Sequence, residues 1–257
     1  MQNVYRTIIK PVLFFIMLFF IWESSVRLFS IPDWLLPGPV QIYREAVAGF
    51  SVYAGHILPT ISLAVSGLVI GALCGTGTAM LLHRIPVLKE IFYPLLIISQ
   101  NIPIIVLAPL LVIWFGFGVL PKIIVITLVC FFPITISLLS GFLQTDRELK
   151  HYMLMAGASK KQIFWKLEWP ASLPALFSGL KISATYSILG AVISEWLGAK
   201  KGIGVFMTLS SSAFRTDRVF IAIFIIVIFS LLLFFLIQLL ERLFIRWKPS
   251  GEGDDYE

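Results

Sequence analysis

The side chains that most often carry out chemistry are few and scattered in this sequence. Its three histidines, His56, His83 and His151, lie far apart and in three different predicted loops. That spacing does not favour a metal site, because metal ligands usually come in short clusters. The sequence has no G-x-x-x-x-G-K-[ST] loop to hold ATP phosphates. We therefore expect this chain to contain no catalytic residue, no metal and no bound cofactor.

Three polar residues stand out because apolar sequence surrounds them. Gln100 and Asn101 lie in the middle of a predicted membrane-spanning segment, and Glu195 ends another. Polar groups at that depth are expected to face protein or a water-filled path. For Gln100 and Asn101, lining a translocation path and hydrogen bonding between helices are equally good interpretations. Glu195 is either a gate residue on such a path or an ordinary carboxylate at the membrane interface.

A hinged, basic segment is the strongest functional feature of the sequence. It reads GASKKQIFWKLEWP and covers residues 157–170. Gly157 can take the left-handed conformation that ends a helix. Ser159, with Gln162 three residues later, forms a capping-box pattern that starts a new helix. That helix is predicted to run to about Trp169 and to stop at Pro170.

The helix predicted after the hinge is amphipathic. Its apolar residues Ile163, Phe164 and Leu167 share one face, and its lysines are left for water or an acidic partner. An ordinary basic loop between membrane helices is the simpler interpretation. The hinge, the cap, the apolar face and the proline together favour a docking site for a partner protein.

The composition predicts an all-α integral membrane protein. The chain is 58% hydrophobic and 13% charged, with a mean hydropathy of +0.94. A soluble domain of this composition would have a largely apolar surface, so lipid must be the main solvent. The third of the six predicted spans contains Pro94, Pro103 and Pro109, so it is expected to bend or to lie partly at the surface. The six predicted spans are Val12–Phe29, Leu58–Leu82, Leu88–Phe115, Leu120–Phe142, Leu173–Ile193 and Val219–Ile245.

Basic residues predict the orientation of the chain. With both termini in the cytoplasm, the inner segments carry 12 Lys and Arg residues and the outer segments carry 7. This bias places residues 144–170 in the cytoplasm, although the outer loop Glu195–Arg218 goes against the trend with four basic residues. The predicted domains are a cytoplasmic N-terminus at 1–11, one membrane domain at 12–246 and an acidic cytoplasmic tail at 247–257.

Two shorter patterns predict local contacts. Gly67, Gly71 and Gly75 repeat every four residues and form a face that another helix can approach closely. Glu23 and Arg27 are four residues apart in the order that favours an ion pair on a helix.

The hinged segment resembles the cytoplasmic coupling loop of bacterial ABC importer permeases, the subunits through which an ATPase drives transport. Permeases of the nitrate, sulfonate and taurine importer group look similar along nearly the whole chain. Further matches follow in the family's order: LPGP at 36–39, IPIIVLAPLLVIWFGFGVLPK at 102–122 and ISEWLGAKKGIGV at 193–205. One departure is His151-Tyr152-Met153, where the family's loop usually begins Glu-Ala-Ala.

The resemblance implies a type I importer permease (MetI-like) architecture in a bacterial plasma membrane, with multiple passes and both termini cytoplasmic. It implies a separate ABC ATPase that binds ATP and Mg²⁺, an extracellular substrate-binding protein, and a second copy of this chain in a homodimer. Nucleic acid is not an expected partner. The residues implied to couple the chain to the ATPase are His151, Gly157, Ala158, Ser159, Ile163, Phe164, Leu167 and Pro170.

The substrate implied by the resemblance is a small nutrient. A pyrimidine precursor of thiamine is favoured, because charged residues are almost confined to the span ends and Lys or Arg in mid-span would be needed to attract an anion. An aliphatic sulfonate, taurine or nitrate is the alternative. A transporter of another class, a secondary transporter or channel driven by an ion gradient, would predict charges buried in mid-span and an internal repeat. Neither pattern is visible in the sequence.

Overall fold

The computed structural model describes residues 2–245, without the side chains of residues 2–8 and 104–105. Every regular element in that range is helical, as the sequence predicts. The predicted acidic tail at 247–257 lies outside the described residues. In chain order the helices are α1 (Gln2–Leu28), α2 (Pro39–Ala48), α3 (Phe50–Arg84), α4 (Pro86–Ser99), α5 (Ile104–Phe115), α6 (Val119–Leu143), α7 (Arg147–Met155), α8 (Lys160–Ile163), a π-helical turn (Phe164–Glu168), α9 (Trp169–Glu195), α10 (Ile203–Ser212) and α11 (Thr216–Phe244).

Within residues 2–245, five helices are long and apolar enough to cross a bilayer, which needs about 20 apolar residues. They correspond to five of the six predicted spans. These helices are Ile9–Leu28, Phe50–Arg84, Val119–Leu143, Lys160–Glu195 and Thr216–Phe244.

The third predicted span is not one helix. It is divided into α4, of 14 residues, and α5, of 12 residues, and neither is long enough to cross a bilayer alone. The break covers residues 100–103 and ends at Pro103, whose ring nitrogen has no hydrogen to continue the backbone ladder. The bend expected from the prolines is therefore a complete interruption.

Helix α6 lies at the centre of the core, between α3 and α9. The stripe of Gly67, Gly71 and Gly75 faces α6, and a Cβ added at Gly71 would lie only 2.7 Å from the Cβ of Cys130. Gly179 on α9 also approaches α6 closely, since a Cβ added there would lie 2.9 Å from the Cβ of Ser137. The predicted small-residue face is confirmed as a packing surface within the chain.

The structure shows helix in two places where no spanning helix was predicted. Helix α1 begins at Gln2, so the predicted N-terminal segment 1–11 is largely helical and Pro11 lies inside the helix. The predicted loop Glu195–Arg218 contains helix α10, which starts after Gly202 with a run of apolar residues. That apolar run was the overlooked signal.

The predicted ion pair between Glu23 and Arg27 is confirmed, with 2.7 Å between Oε1 and Nε. The second carboxylate oxygen of Glu23 accepts the backbone N–H of Val40 at 3.1 Å. Val40 lies in the first turn of α2, where amide hydrogens have no partner within the helix. Glu23 therefore ties the end of α1 to the start of α2.

Candidate coupling segment and translocation path

The coupling segment begins with a capped helix, α7. The Oδ1 atom of Asp146 accepts the backbone N–H groups of Glu148 at 2.8 Å and Leu149 at 3.2 Å. These bonds satisfy two of the amides that a helix start leaves unpaired. Asp146 was not singled out from the sequence, although an aspartate just before a helical stretch is a typical cap.

The predicted hinge and cap are both present between α7 and α8. Gly157 has φ of +80°, and the N–H of Ala158 reaches back to the carbonyl of Met153 at 2.9 Å, as in a Schellman motif. The Oε1 atom of Gln162 accepts the N–H of Ser159 at 2.8 Å, and the Ser159 hydroxyl accepts the N–H of Gln162 at 3.3 Å. The chain therefore turns sharply and restarts a helix at a defined point.

The prediction that the new helix stops at Pro170 is wrong. The π-helical turn Phe164–Glu168 follows α8, and the N–H of Trp169 bonds to the carbonyl of Phe164, five residues back. Pro170 directly follows this turn inside the continuous helix, and a local π adjustment of this kind accommodates a proline, which has no N–H to donate. One helix thus runs from Lys160 to Glu195 without a gap.

The apolar face predicted to dock a partner is used inside the chain. Ile163 and Phe164 are 3% and 5% exposed, and Leu167 is half-buried. Phe164 packs against Phe142 of α6, with ring centroids 5.8 Å apart. Among the other predicted coupling residues, Ala158 and Pro170 are half-buried, and His151, Gly157 and Ser159 are exposed.

Most of the exposed apolar surface of the segment lies on α7 instead, with Trp165 of the π turn also 47% exposed. Tyr152 and Met155 are 68% and 81% exposed, and Leu149 and Leu154 are about half exposed. We call these four side chains the α7 face. Apolar side chains this exposed outside a bilayer-spanning helix typically mark a surface that another protein covers.

Glu168 connects three elements at the base of the segment. It is 6% exposed, and its two carboxylate oxygens bond to Lys150 Nζ at 2.5 Å and to His83 Nε2 at 2.9 Å. The His83 ring stacks on Phe142 with centroids 4.2 Å apart. The carboxylate thereby joins α3, α7 and the π turn. Glu168 was not singled out from the sequence, although it is the one acidic residue in the basic segment 157–170.

Gln100 and Asn101 lie together at the break between α4 and α5. Both line a cavity of ≈330 Å³ whose far wall includes Tyr186 of α9. The Nδ2 atom of Asn101 donates to the carbonyl of Ile97 at 2.7 Å, which satisfies one of the free carbonyls at the end of α4. The described lining of this cavity carries no charged side chain.

Glu195 lies elsewhere, in a buried cluster at the start of α10. It is 2% exposed, its Oε1 accepts the Thr60 hydroxyl at 2.7 Å, and its Oε2 accepts the N–H of Gly204 at 2.7 Å. Thr60 Oγ1 also accepts the N–H of Ile203 at 2.8 Å. The positive end of a helix dipole favours a carboxylate at this position. Glu195 is thus an internal anchor that ties α10 to α3 and α9.

The same carboxylate lies at the edge of a second cavity, of ≈250 Å³. Lys122 and Lys201 line this cavity, together with the hydroxyls of Ser62 and Ser66. This cationic, hydroxyl-rich cavity is separate from the uncharged one at Gln100.

A charged network joins α2 to the start of α11. Arg215 contacts Glu45 and Asp217, each at 2.8 Å, and Arg218 Nε donates to Glu45 at 2.8 Å. The hydrogen bond that Arg215 donates to Asp217, together with the negative charges of Asp217 and Glu45, raises the pKa of the Arg215 guanidinium above its ordinary value. Beside this network, Trp34 helps to line a third cavity, of ≈660 Å³.

Within residues 2–245, no three His, Cys, Asp or Glu side chains lie close enough together to hold a metal ion.

Three features together define a multi-pass membrane transport subunit. They are the apolar spanning helices, the interrupted third span, and the hinged pair of α7 and α8. Residues 67–246 match the family described as "Binding-protein-dependent transport system inner membrane component", and the chain belongs to this family. The predicted ABC importer permease identity and its type I architecture are thereby confirmed. The family works with an ABC ATPase and a substrate-binding protein. Membership gives no support to the alternative of a transporter driven by an ion gradient.

Curated relatives are similar along most of their length. The chain is 35% identical to the formylaminopyrimidine transport permease protein ThiX of Halalkalibacterium halodurans, over 97% of this chain and 100% of the relative. It is 31% identical to the riboflavin transport system permease protein RibX of Chloroflexus aurantiacus, over 93% and 90%. It is 28% identical to a putative aliphatic sulfonates transport permease protein, SsuC, of Bacillus subtilis, over 91% and 85%.

Proposed function

We propose that two copies of this chain form the translocation path of an importer for a small heteroaromatic nutrient. A separate ATPase binds ATP and Mg²⁺ and supplies the energy, and the permease hydrolyses nothing itself. The observation that carries the proposal is the interrupted third span, whose polar backbone is uncovered in the single chain.

The break at residues 100–103 supports both the dimer and the path. Its residues are exposed in the single chain. Non-helical backbone at membrane depth is tolerated only where protein buries it or water reaches it. A second copy packed against α4 and α5 would cover one side, and a water-filled path lined by Gln100 and Asn101 would satisfy the other. The same break therefore accounts for a partner and for a polar route through the bilayer.

The α7 face supports docking of the ATPase. Its exposed apolar side chains end at the hinge, and Glu168 links α7 to the spanning helices through Lys150 and His83. A push on α7 would thus reach α3 and α9 through charged, buried contacts. Rigid-body rocking of packed helices is a common way to convert such a push into alternating access.

The third cavity supports docking of the extracellular binding protein. It combines an exposed aromatic, Trp34, with the charged network of Glu45, Arg215 and Asp217. Aromatic and arginine side chains are enriched at protein interfaces. In the proposed orientation this surface faces outward, on the side opposite the α7 face.

The uncharged cavity favours a neutral, planar substrate. Amides at Gln100 and Asn101 can donate and accept hydrogen bonds, and the ring of Tyr186 can stack on a heterocycle. Two of the relatives carry names that specify heterocyclic substrates, a formylaminopyrimidine and riboflavin. We therefore favour a pyrimidine of the thiamine-precursor type.

A sulfonate, taurine or nitrate is the second candidate substrate. The cationic cavity at Lys122 and Lys201 is the observation that favours it, because both ammonium groups attract anions. Uptake by proteoliposomes that contain the permease, its ATPase and its binding protein distinguishes the two substrates. Uptake of formylaminopyrimidine that depends on ATP and is not reduced by taurine supports the first. Uptake of taurine alone would establish the second.

The orientation is tested by labelling single cysteines in intact cells with a reagent that cannot cross the membrane. Lys166→Cys lies in the coupling segment and Lys200→Cys in the loop before α10, and both positions are exposed. We expect labelling of the Lys200→Cys protein only. Labelling of Lys166→Cys from outside would place the coupling segment on the wrong side and refute the proposal.

A further inference from the structure

An open cavity of ≈580 Å³ lies beside the hinge, between the end of α3, α7 and α8. Four basic side chains line it: Arg84, Lys150, Lys160 and Lys161. Glu168 is the one carboxylate of the described lining, and it is engaged by Lys150. In the described part of the chain no carboxylate lies within 4 Å of the other three basic groups. The cavity therefore carries an excess of positive charge.

The floor of this cavity is apolar. Leu154, Ile163 and Phe164 form it, and the guanidinium of Arg84 lies over the Phe164 ring, 5.1 Å from its centroid. Lys160 and Lys161 occupy the first turn of a helix, where acidic residues are normally preferred because of the helix dipole. An anion in the cavity would offset this unfavourable arrangement. The shape and charge together suit a ligand with an anionic head and an apolar body.

We propose that this cavity binds the phosphate of an anionic phospholipid, with the adjoining glycerol and first acyl carbons on the apolar floor. Arg84 ends a membrane-spanning helix, so the cavity lies at a bilayer interface, at the level of lipid head groups. Basic pockets between membrane helices on the cytoplasmic side bind such head groups. A bound lipid would bridge the end of α3 and the hinge, and so hold the α7 face in place.

The test uses the full-length chain in lipid nanodiscs containing dioleoylphosphatidylglycerol and dioleoylphosphatidylcholine, with retained lipid counted by native mass spectrometry. We expect preferential retention of phosphatidylglycerol. The double variant Lys160→Gln, Lys161→Gln should lower its affinity roughly 25-fold, about fivefold for each lysine removed. The matched control is Lys10→Gln, Lys166→Gln, because both lysines are exposed and neither lines the cavity. The control should retain the lipid as the unchanged chain does.

Three results would overturn the proposal. Equal losses in the two double variants would show a general attraction between basic residues and the bilayer. Displacement of the lipid by soluble glycerol phosphate at equal concentration would assign the cavity to a soluble phosphate ester. Loss of the lipid on adding the ATPase subunit would assign the cavity to that protein. Lipid retention requires neither ATP nor the transported nutrient, so its failure leaves the proposed transport function untouched.

Discussion

The carboxylate of Glu195 and the backbone N–H of Gly204 meet at 2.7 Å across the turn that joins α9 to α10. The carboxylate is buried and its other oxygen is taken by Thr60. The last residue of the membrane-spanning helix α9 therefore accepts a hydrogen bond from the first turn of α10. The carboxylate of Glu195 is therefore one of the contacts that fix the position of α10.

Replacing Glu195 with leucine should lower the free energy of unfolding by about 1–3 kcal/mol, because two buried donors lose their acceptor. Glu195→Gln should cost less, since its carbonyl oxygen can still accept the N–H of Gly204. Thermal unfolding of the purified protein in detergent measures both. If the leucine variant were as stable as the glutamine variant, the anchoring role of the carboxylate would be wrong.

The Gly202→Ala substitution should destabilise the same turn. Gly202 has φ of +141°, and an added Cβ would collide with the carboxyl group of Glu195. We expect a loss of about 1–3 kcal/mol in unfolding free energy. Gly77→Ala is the control, because nothing lies within 4 Å of its added Cβ and an alanine favours the helix. Chemical denaturation should show a lower unfolding midpoint for Gly202→Ala and an unchanged or higher midpoint for Gly77→Ala.

Gly157→Val should abolish transport while leaving the protein in the membrane. Nothing lies within 4 Å of an added Cβ, so the effect comes from the φ of +80°, which costs a β-branched residue about 1–2 kcal/mol or more. Gly157→Asn should keep most of the activity, since asparagine tolerates this conformation. Uptake by proteoliposomes with the ATPase is the measurement. Normal uptake by the valine variant would show that the hinge geometry is not needed.

Met155→Glu should release the ATPase without unfolding the permease. Met155 is 81% exposed on the α7 face, where a charge harms only a contact with a partner. Phe164→Ala gives the contrasting result: the side chain is 5% exposed, so its loss should cost about 3–5 kcal/mol of stability. Co-purification with the ATPase and thermal unfolding are measured on each. Retention of the ATPase by Met155→Glu would move the docking surface away from α7.

Gln100→Cys should react with a water-soluble thiol reagent in the assembled transporter. Ile113→Cys is the control: it is 75% exposed on α5, but to lipid rather than to water in the proposed assembly. Both are made in a background lacking Cys74 and Cys130. Protection of Gln100→Cys by the transported nutrient would place the residue on the path. Equal labelling of the two positions would show that Gln100 does not line the path.

The local features of the coupling segment could be predicted because short-range patterns determine them. A glycine before a Ser-x-x-Gln box, four-residue spacing of glycines and an i, i+4 ion pair all depend on neighbours within one or two turns. The hinge at Gly157, the cap at Ser159 and the pair of Glu23 with Arg27 belong to this group. The spanning helices could also be predicted, because each is a continuous hydrophobic run long enough to cross a bilayer.

The contacts that position the site could not be predicted, because they join distant parts of the chain. Glu168 meets His83 across 85 positions, and Glu195 meets Thr60 across 135. The amphipathic face of Ile163 and Phe164 was correctly recognised, but a periodic pattern does not tell whether the chain itself or a partner covers that face. The π turn before Pro170 was also missed, since no local sequence rule separates it from a helix end.

The helix that passes through Pro170 is 36 residues long, so about 54 Å separate its ends. One end carries the hinge and the other carries the carboxylate that holds α10. The helix is continuous through the π turn and Pro174, so one element reaches from the hinge to the start of α10. In the proposed orientation, a tilt of this helix at its hinge end would therefore also move α10, which Glu195 holds at the other end.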